Sequence, residues 1–403
     1  MLALEMYRSL PRTVAGKALG GRLPMVGAMA TPLRLVTIEP PRVERPGWAR
    51  LRTRLSGICG SDLGAVSGRT SLYFSSVVSF PFVPGHEVVA ELMDDCAADG
   101  YDRLPRGTRV VIDPVLSCAP RGLGPCEECA AGHPNRCTRI TVGNLAPGLQ
   151  TGFCTTTGGG WSQQLSAHRS QLHVVPEGYS DEQAVLIEPT ACAVHSALRA
   201  DIAPNARVLV SGAGSVGLLT TLALRELTPA GEIIVVAKHG HQRELAVELG
   251  ATEVVTPTEV LRRVRRLTGA FQLEPDYSRG YLLGGVDVAF DAVGNRASLE
   301  TALHATRAGG RVVLSGMPAS ADLSAAWFRE LEIVGTYASS PTEPGGRGAF
   351  DLATELVAHD AVEKLAKSVA PYPLHRWREA VDHAQSAGRL GTVKVAFDPR
   401  KRG

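Results

Sequence analysis

The stretch Arg207 to Leu224, RVLVSGAGSVGLLTTLAL, confines the fold more than any other part of the chain. A short apolar run leads into Gly212, Gly214 and Gly217, and a helical apolar pattern follows. That order predicts strand, tight turn and helix in succession. A membrane helix is the wrong reading, because the run falls short of ~20 apolar residues and is broken by glycines. A second β-type run, EIIVVA, follows at the length of one βαβ unit. Further runs, VDVAFDAV, RVVLSG and LEIVGTY, alternate with helical segments such as HQRELAVELG. Alternation of this kind predicts an α/β fold with a doubly wound parallel sheet.

The chain has 403 residues, which at ~100–200 residues per domain implies two or three domains. Before the glycine turn the texture differs. Residues 33–112 carry short β-type runs, LRLVTI, ARLRTRL, EVVAEL and TRVVI, separated by Pro and Gly. After about Tyr337 the pattern turns helical, and a last strand, TVKVAF, is expected to return to the first domain. With 44% hydrophobic and 20% charged residues the chain is globular, and a net charge of +2 without a basic stripe gives no reason to expect nucleic acid or a membrane as partner. The run LPMVGAMATPL at 23–33 has a signal-like look, with Ala28 and Ala30 near its end. Pro24, Arg12, Lys17 and Arg22 disrupt the required regions, so no signal peptide and a cytoplasmic location are expected.

In the strand–turn–helix context the glycines allow close backbone approach, and a pyrophosphate can sit on the helix N-terminus. Gly212, Gly214, Ser215, Val216 and Gly217 are therefore candidate dinucleotide contacts, with Val293 and Gly316 further along. An acidic residue at the end of the second strand would bond the ribose hydroxyls of NAD. This chain has Ala237, Lys238 and His239 there, which favours NADP(H) over NAD(H). Lys238 as a plain solvated turn residue is the competing reading.

Three dispersed segments carry metal-ligand chemistry. They are Cys59 in GICGSD, His86 and Glu87 in PGHE, and Glu188 in LIEPTACAVH. A thiolate, an imidazole and carboxylates can hold a tetrahedral zinc with one open position, although each residue taken singly has an ordinary structural explanation. The denser cluster is CAPRGLGPCEECAAGHPNRC, residues 118–137, whose four thiolates could close a site with no vacancy. Cys96, Cys154 and Cys192 read as small buried hydrophobes.

The combination of G-x-C-G-S-D, G-H-E and E-P ahead of the glycine turn resembles the medium-chain zinc-containing alcohol dehydrogenases, nearest the sorbitol, threonine and glucose dehydrogenase branches. The resemblance implies a GroES-like β-rich catalytic domain over 1–190, with a structural-zinc lobe at about 115–140. It further implies a Rossmann domain over 191–340, a C-terminal return over 341–403, and an active site in the cleft between the two domains. It implies that Cys59 and His86 ligate zinc, that Glu87 is a direct third ligand, and that Glu188 binds directly or through water. Asp62 would orient His86, and Ser61 would bond the substrate hydroxyl and pass its proton outward.

Two departures stand out: Gly64 occupies a position where the family often continues the proton relay with histidine, and Leu123 stands where the lobe's first cysteine is usual. Cys118 must then loop back to join Cys126, Cys129 and Cys137; the alternatives are a three-ligand site completed by water or His133, and a lobe without metal. The implied activity is hydride transfer between NADP(H) and a secondary alcohol, polyol or sugar, or the matching carbonyl. The alternatives are a zinc-independent quinone or enoyl reductase and a non-catalytic nucleotide-binding protein. The substrate wall is expected from residues 68–80, including Tyr73 and Phe74, and from parts of 140–160. A homodimer or homotetramer is expected, with LEIVGTY as a pairing edge.

Overall fold

The computed structural model describes residues 1–20, 31–318, 320–339, 341–343 and 345–401. Most of the signal-like run, residues 23–30, lies outside them. The chain divides into two compact units, one of Met1–Glu188 with Ala366–Gly403 and one of Pro189–Leu365. The boundary expected at 340 falls inside the second unit.

The first unit is organised on the ten-residue strand Trp48–Gly57. Its period-2 pattern buries Leu51, Thr53 and Leu55 and leaves Arg52 exposed, as a strand with one covered face requires. The sheet around it runs in the order Ala370–Tyr372, Val395–Phe397, Trp48–Gly57, Val88–Leu92, Arg109–Ile112, Leu172–Val174, and Gln164–His168 also pairs with the long strand. All pairs are antiparallel except Ala370–Tyr372 with Val395–Phe397. The C-terminal return thus supplies two strands of the sheet. One core lies on Leu51, Leu92, Ile112 and Leu165; another gathers Phe82, Trp161, Trp377 and Phe397, with the Trp161 and Phe397 rings edge to face at 5.0 Å. Asp181 accepts from Arg54 and Arg109 on the sheet side and from Arg400 near the C-terminus.

The second unit is a six-stranded parallel sheet in the order Glu253–Val255, Ile233–Val236, Val208–Ser211, Val286–Asp291, Thr306–Leu314, Glu332–Gly335. Val208–Ser211 and Ile233–Val236 are buried at every position, which is why they read as unbroken apolar runs. An antiparallel hairpin, Phe271–Leu273 with Tyr281–Leu283, stands outside this sheet and had no clear signal in the sequence. The buried Arg329 holds it by donating to the Leu282 carbonyl at 3.1 Å. Among the described residues no helix is long and apolar enough to cross a membrane.

Asp113 follows the strand Arg109–Ile112, and its carboxylate accepts the Val115 N–H at 3.0 Å. Burial pushes its pKa up to about 6, only partly offset by that bond. A carboxylate raised this way binds its proton more tightly in the folded state, so its ionisation penalises folding above pH ~6 and the penalty is gone below pH ~4. Asp113→Asn keeps the Val115 bond and removes the charge. It is expected to raise stability at pH 7.5 by about 1–3 kcal/mol, with the gain vanishing near pH 4. Urea melts of both proteins at the two pH values measure this.

Candidate active site and metal centres

Cys59 comes directly after Gly57 and Ile58 and caps the short helix Gly60–Val66. Its backbone N–H donates to Asp62 Oδ2 at 3.0 Å. Asp62 is completely buried, and its other oxygen lies 3.4 Å from Nδ1 of His86, an ion-pair distance too long and too poorly aligned for a good hydrogen bond. One carboxylate therefore spans the two segments GICGSD and PGHE. His86 reaches it because Gly85 turns the chain with φ +96°, where a Cβ would come within 2.4 Å of the Trp161 ring. Burial lowers the His86 pKa, but the Asp62 charge and the nearby Cys59 outweigh it and hold the imidazole well above its ordinary value. Ser61 is half-buried in the first turn of the same helix, and Gly64 is buried in it.

Glu87 follows His86 into the sheet. Its backbone carbonyl accepts Gly57 N–H at 2.8 Å, and a Cβ on residue 57 would come within 1.9 Å of Glu87 Oε2. Both carboxylate oxygens lie 2.7 Å from Nζ of Lys394, and both side chains are buried, at 4% and 1% exposure. Burial alone would lower the Lys394 pKa; Glu87, with Cys59 and Glu188 in electrostatic reach, raises it instead. Glu188 lies in the first turn of the helix Ile187–Arg199. Cys192, in the same helix, is half-buried.

The two loops expected to form a substrate wall are tied to each other. Leu149 N–H donates to the Val77 carbonyl, and Thr155 bonds Ser79 and Pro81. The aromatic ring beside His86 is Phe153, at 6.1 Å between centroids, backed by Phe82 at 5.3 Å. Tyr73, named from the sequence, is 82% exposed and packs edge-on against Phe74.

The cysteine lobe brings Cys118, Cys126, Cys129 and Cys137 together, with all four sulfurs within 4.8 Å of one another. Leu123 N–H and Arg121 N–H both return to the Cys118 carbonyl, closing the turn that the displaced first cysteine requires. Arg121 is fully buried, and its guanidinium donates to the carbonyls of Leu116, Val142, Leu145, Ala146 and Gly148. One side chain thus ties the turn after Cys118 to residues 142–148. Backbone N–H groups of Thr138 and Cys129 hold the Cys126 thiol down to about 5, whereas burial and the neighbouring cysteines push Cys129 and Cys137 up. Thiols packed this closely cannot all ionise without a cation, and an all-sulfur tetrahedral set suits Zn²⁺.

In the second unit Val208–Ser211 ends at Gly212, φ +114°, and Gly214 caps the helix Ser215–Leu227. A Cβ on Gly217 would strike the Gly212 carbonyl at 2.0 Å, and one on Gly212 would strike Val293 at 2.3 Å, while a Cβ on Gly214 would meet nothing within 4 Å. The first two glycines are needed for packing, and Gly214 leaves the mouth of the turn open to a ligand. Asp291 fixes the neighbouring turn by accepting from the N–H groups of Val293 and Gly294, and its carbonyl accepts from Gly316. Ser215 and Val216 open the helix. Lys238 is exposed, and His239, the N-cap of the helix Gly240–Glu248, stacks on His241 with centroids 6.0 Å apart.

A GroES-like β unit in which the buried Asp62 lies between Cys59 and His86, joined to a Rossmann unit with an open glycine turn, defines a dinucleotide-dependent dehydrogenase architecture. Family models agree: residues 45–177 match the alcohol dehydrogenase GroES-like domain, and residues 215–365 match zinc-binding dehydrogenase. The chain is 29% identical to the sorbitol dehydrogenase of Bacillus subtilis over 335 residues, covering 81% of this chain and 84% of that one. It is 30% identical to L-idonate 5-dehydrogenase of Vitis vinifera over 298 residues, covering 73% and 74%. The crystal structure of 2R,3R-butanediol dehydrogenase from Bacillus subtilis shares the fold, with TM-score 0.67, 22% identity and coverage of 99% and 100%. The chain belongs to the zinc-containing medium-chain alcohol dehydrogenase family, on its sorbitol dehydrogenase-like branch.

Lys394, Phe153 and Arg121 were not singled out in the sequence. A lysine in a strand, an aromatic in a loop and an arginine among prolines and glycines carry no local signature of their partners. If Cys118 completes the lobe, Cys118→Ser lowers bound zinc by one ion per chain and the melting temperature by several degrees, at about 1 kcal/mol per 2–4 °C for a chain this large. Metal analysis and calorimetry on the same samples measure both.

Proposed function

We propose that this protein is an NADP(H)-preferring, zinc-dependent dehydrogenase that interconverts a secondary alcohol of a polyol or sugar with its carbonyl. The observation that carries the reading is the fully buried Asp62, which caps Cys59 with one oxygen and faces His86 with the other. A buried carboxylate facing an imidazole is the usual support for a metal-binding histidine, and at 3.4 Å Asp62 acts on His86 chiefly through its charge. The donor set therefore fits a zinc ion held by Cys59, His86 and carboxylate from Glu87 or Glu188. Zinc bound there supplies a Lewis acid that favours loss of the alcohol proton and polarises the carbonyl in the reverse direction.

The chain's own residues do the rest. Ser61 bonds the substrate hydroxyl and accepts its proton. With Gly64 two residues past Asp62, the proton leaves Ser61 through water, the ribose or another side chain. Phe153 and Phe82 form an apolar wall beside His86 that restricts water there. The open turn at Gly214 and the N-terminus of the helix Ser215–Leu227 take the pyrophosphate, and Val293 and Gly316 line that turn. Lys238 and His239 stand where a carboxylate would select NAD, and the Lys238 ammonium suits a 2′-phosphate. The relatives named for sorbitol and L-idonate support a polyol substrate. The protein is further proposed to be a cytoplasmic homodimer or homotetramer.

Fluorescence titration with NADPH and NADH, followed by turnover on a panel of polyols and ketoses, tests the reading. Cys59→Ser is expected to abolish turnover and leave nucleotide affinity unchanged. Lys238→Asp should weaken NADPH by about 10–100-fold, the worth of one charge-assisted contact, with little loss for NADH. Equal affinity of the parent protein for both nucleotides, or tighter NADH, overturns the NADP preference.

A further inference from the structure

One edge of the long strand Trp48–Gly57 changes partner along its length. Gln164–His168 pairs with that edge up to Arg52, and Val395–Phe397 takes it up at Ser56. At the changeover lies a cavity of about 520 Å³, lined among others by Arg52, Gln163, Gln164, His375, Arg400 and Lys401. We propose that this cavity is a binding site for a phosphate dianion, carried on a small organic molecule or free. None of Cys59, Ser61, Asp62, His86, Glu87 and Glu188 lines it, so the inference stands apart from the catalytic reading.

No acidic residue lines the cavity, whereas Arg52, Arg400 and Lys401 are cationic and His375 becomes so on protonation. The carboxylates nearby are already in use. Glu91 lies 3.3 Å from Arg54 and 3.9 Å from Arg52, so it is shared, and its hold on the exposed Arg52 is weak. Asp398 accepts from Nε and Nη2 of Arg400, and Asp181 accepts from Nη1. These bonds fix the Arg400 guanidinium and use three of its five N–H donors, leaving two. Lys401 is exposed, and its ammonium has no carboxylate partner among the described residues. A cleft lined by one sign of charge in this way concentrates ions of the other sign.

Neutral donors complete the lining. Gln163 is oriented by accepting the Leu2 N–H on its Oε1 at 2.9 Å, which leaves its NH₂ group to donate. The Gln164 carboxamide makes no hydrogen bond among the described residues. Both suit phosphate oxygens or the hydroxyls of an attached organic part, and the buried Leu374 and Pro399 add apolar wall. A phosphate dianion matches several cations at once and takes the forked donors of arginine, which a halide or a single carboxylate does less well. The volume falls within the roughly 300–1,000 Å³ of small-molecule sites and leaves room beyond the phosphate itself. A ligand seated there joins Arg52 of the long strand to the segment that follows Val395–Phe397, so its binding also stabilises the C-terminal return.

Titration calorimetry of the full chain with glucose 6-phosphate, inorganic phosphate and glucose, in chloride of matched ionic strength, tests the site. The parent protein is expected to bind phosphate and not glucose. Arg52→Ser combined with Lys401→Ser removes two exposed cations outside every candidate catalytic, metal and nucleotide contact. The pair should weaken phosphate binding by about 100-fold and Lys401→Ser alone by about 10-fold, the worth of one charge-assisted contact each. Glucose 6-phosphate bound more tightly than inorganic phosphate identifies a phosphorylated small molecule as the ligand, and the reverse or equal order identifies free phosphate; either supports the site. Equal phosphate affinity in the parent and the double variant places the ion elsewhere on the chain and overturns the proposal. Heat no greater than that of matched chloride, or glucose bound as well as its phosphate, overturns it too. A phosphate-dependent rise in melting temperature that the parent shows and the double variant lacks is the expected second readout.

Discussion

The buried pair between Lys394 and Glu87 is the interaction on which the catalytic unit most depends. It joins the last strand of the sheet to the segment that carries His86, and it does so inside the core. Removing one member of such a pair commonly costs about 3–5 kcal/mol, because the other is left charged and unpartnered. The C-terminal return is therefore part of the site and not an appendage. Asp181 repeats the logic at the rim of the same unit, where Arg54, Arg109 and Arg400 together draw its pKa down against the effect of burial. The rim pairs are more exposed, and solvent screens them accordingly.

Backbone geometry does for the second unit what the ion pair does for the first. Gly217 lies against the Gly212 carbonyl and Gly212 against Val293, so the turn can close only if neither has a side chain. Closure packs the helix Ser215–Leu227 on its strand and leaves the space above Gly214 clear. Asp291 then pins the next turn through Val293 and Gly294. A phosphate bound there would meet oriented N–H groups instead of flexible cations, which lowers the ordering cost of binding.

Much of this was legible in the sequence, for reasons that can be stated residue by residue. The strands at Val208–Ser211 and Ile233–Val236 were readable because burial on both faces forces an unbroken apolar run. Cys59, His86 and Asp62 were readable only through the combination of motifs that resembles the family, since each taken singly has an ordinary structural explanation. Lys394 was not, because its partner is distant and its own neighbours spell only a strand. Phe153 was hidden because the ring nearest His86 comes from a loop whose path depends on bonds to residues 77–81. The hairpin at 271–283 was missed because three-residue strands are too short to show a period.

Arg121 shows the same limit from the opposite side. The sequence placed a leucine at the lobe's usual first ligand position, which looked like a defect. The structure supplies a physical answer in which the turn Cys118 to Leu123 is closed by its own backbone, and Arg121 in that turn donates to five carbonyls of the flanking residues 116 and 142–148. A buried guanidinium is costly unless its donors are well used, and burial does lower this one's pKa. Here five donor contacts meet five carbonyls, so the lobe can tolerate the shifted cysteine without opening its interior. The displaced cysteine is thus accommodated by the backbone turn, and the buried arginine in that turn anchors it to the 142–148 segment beside it.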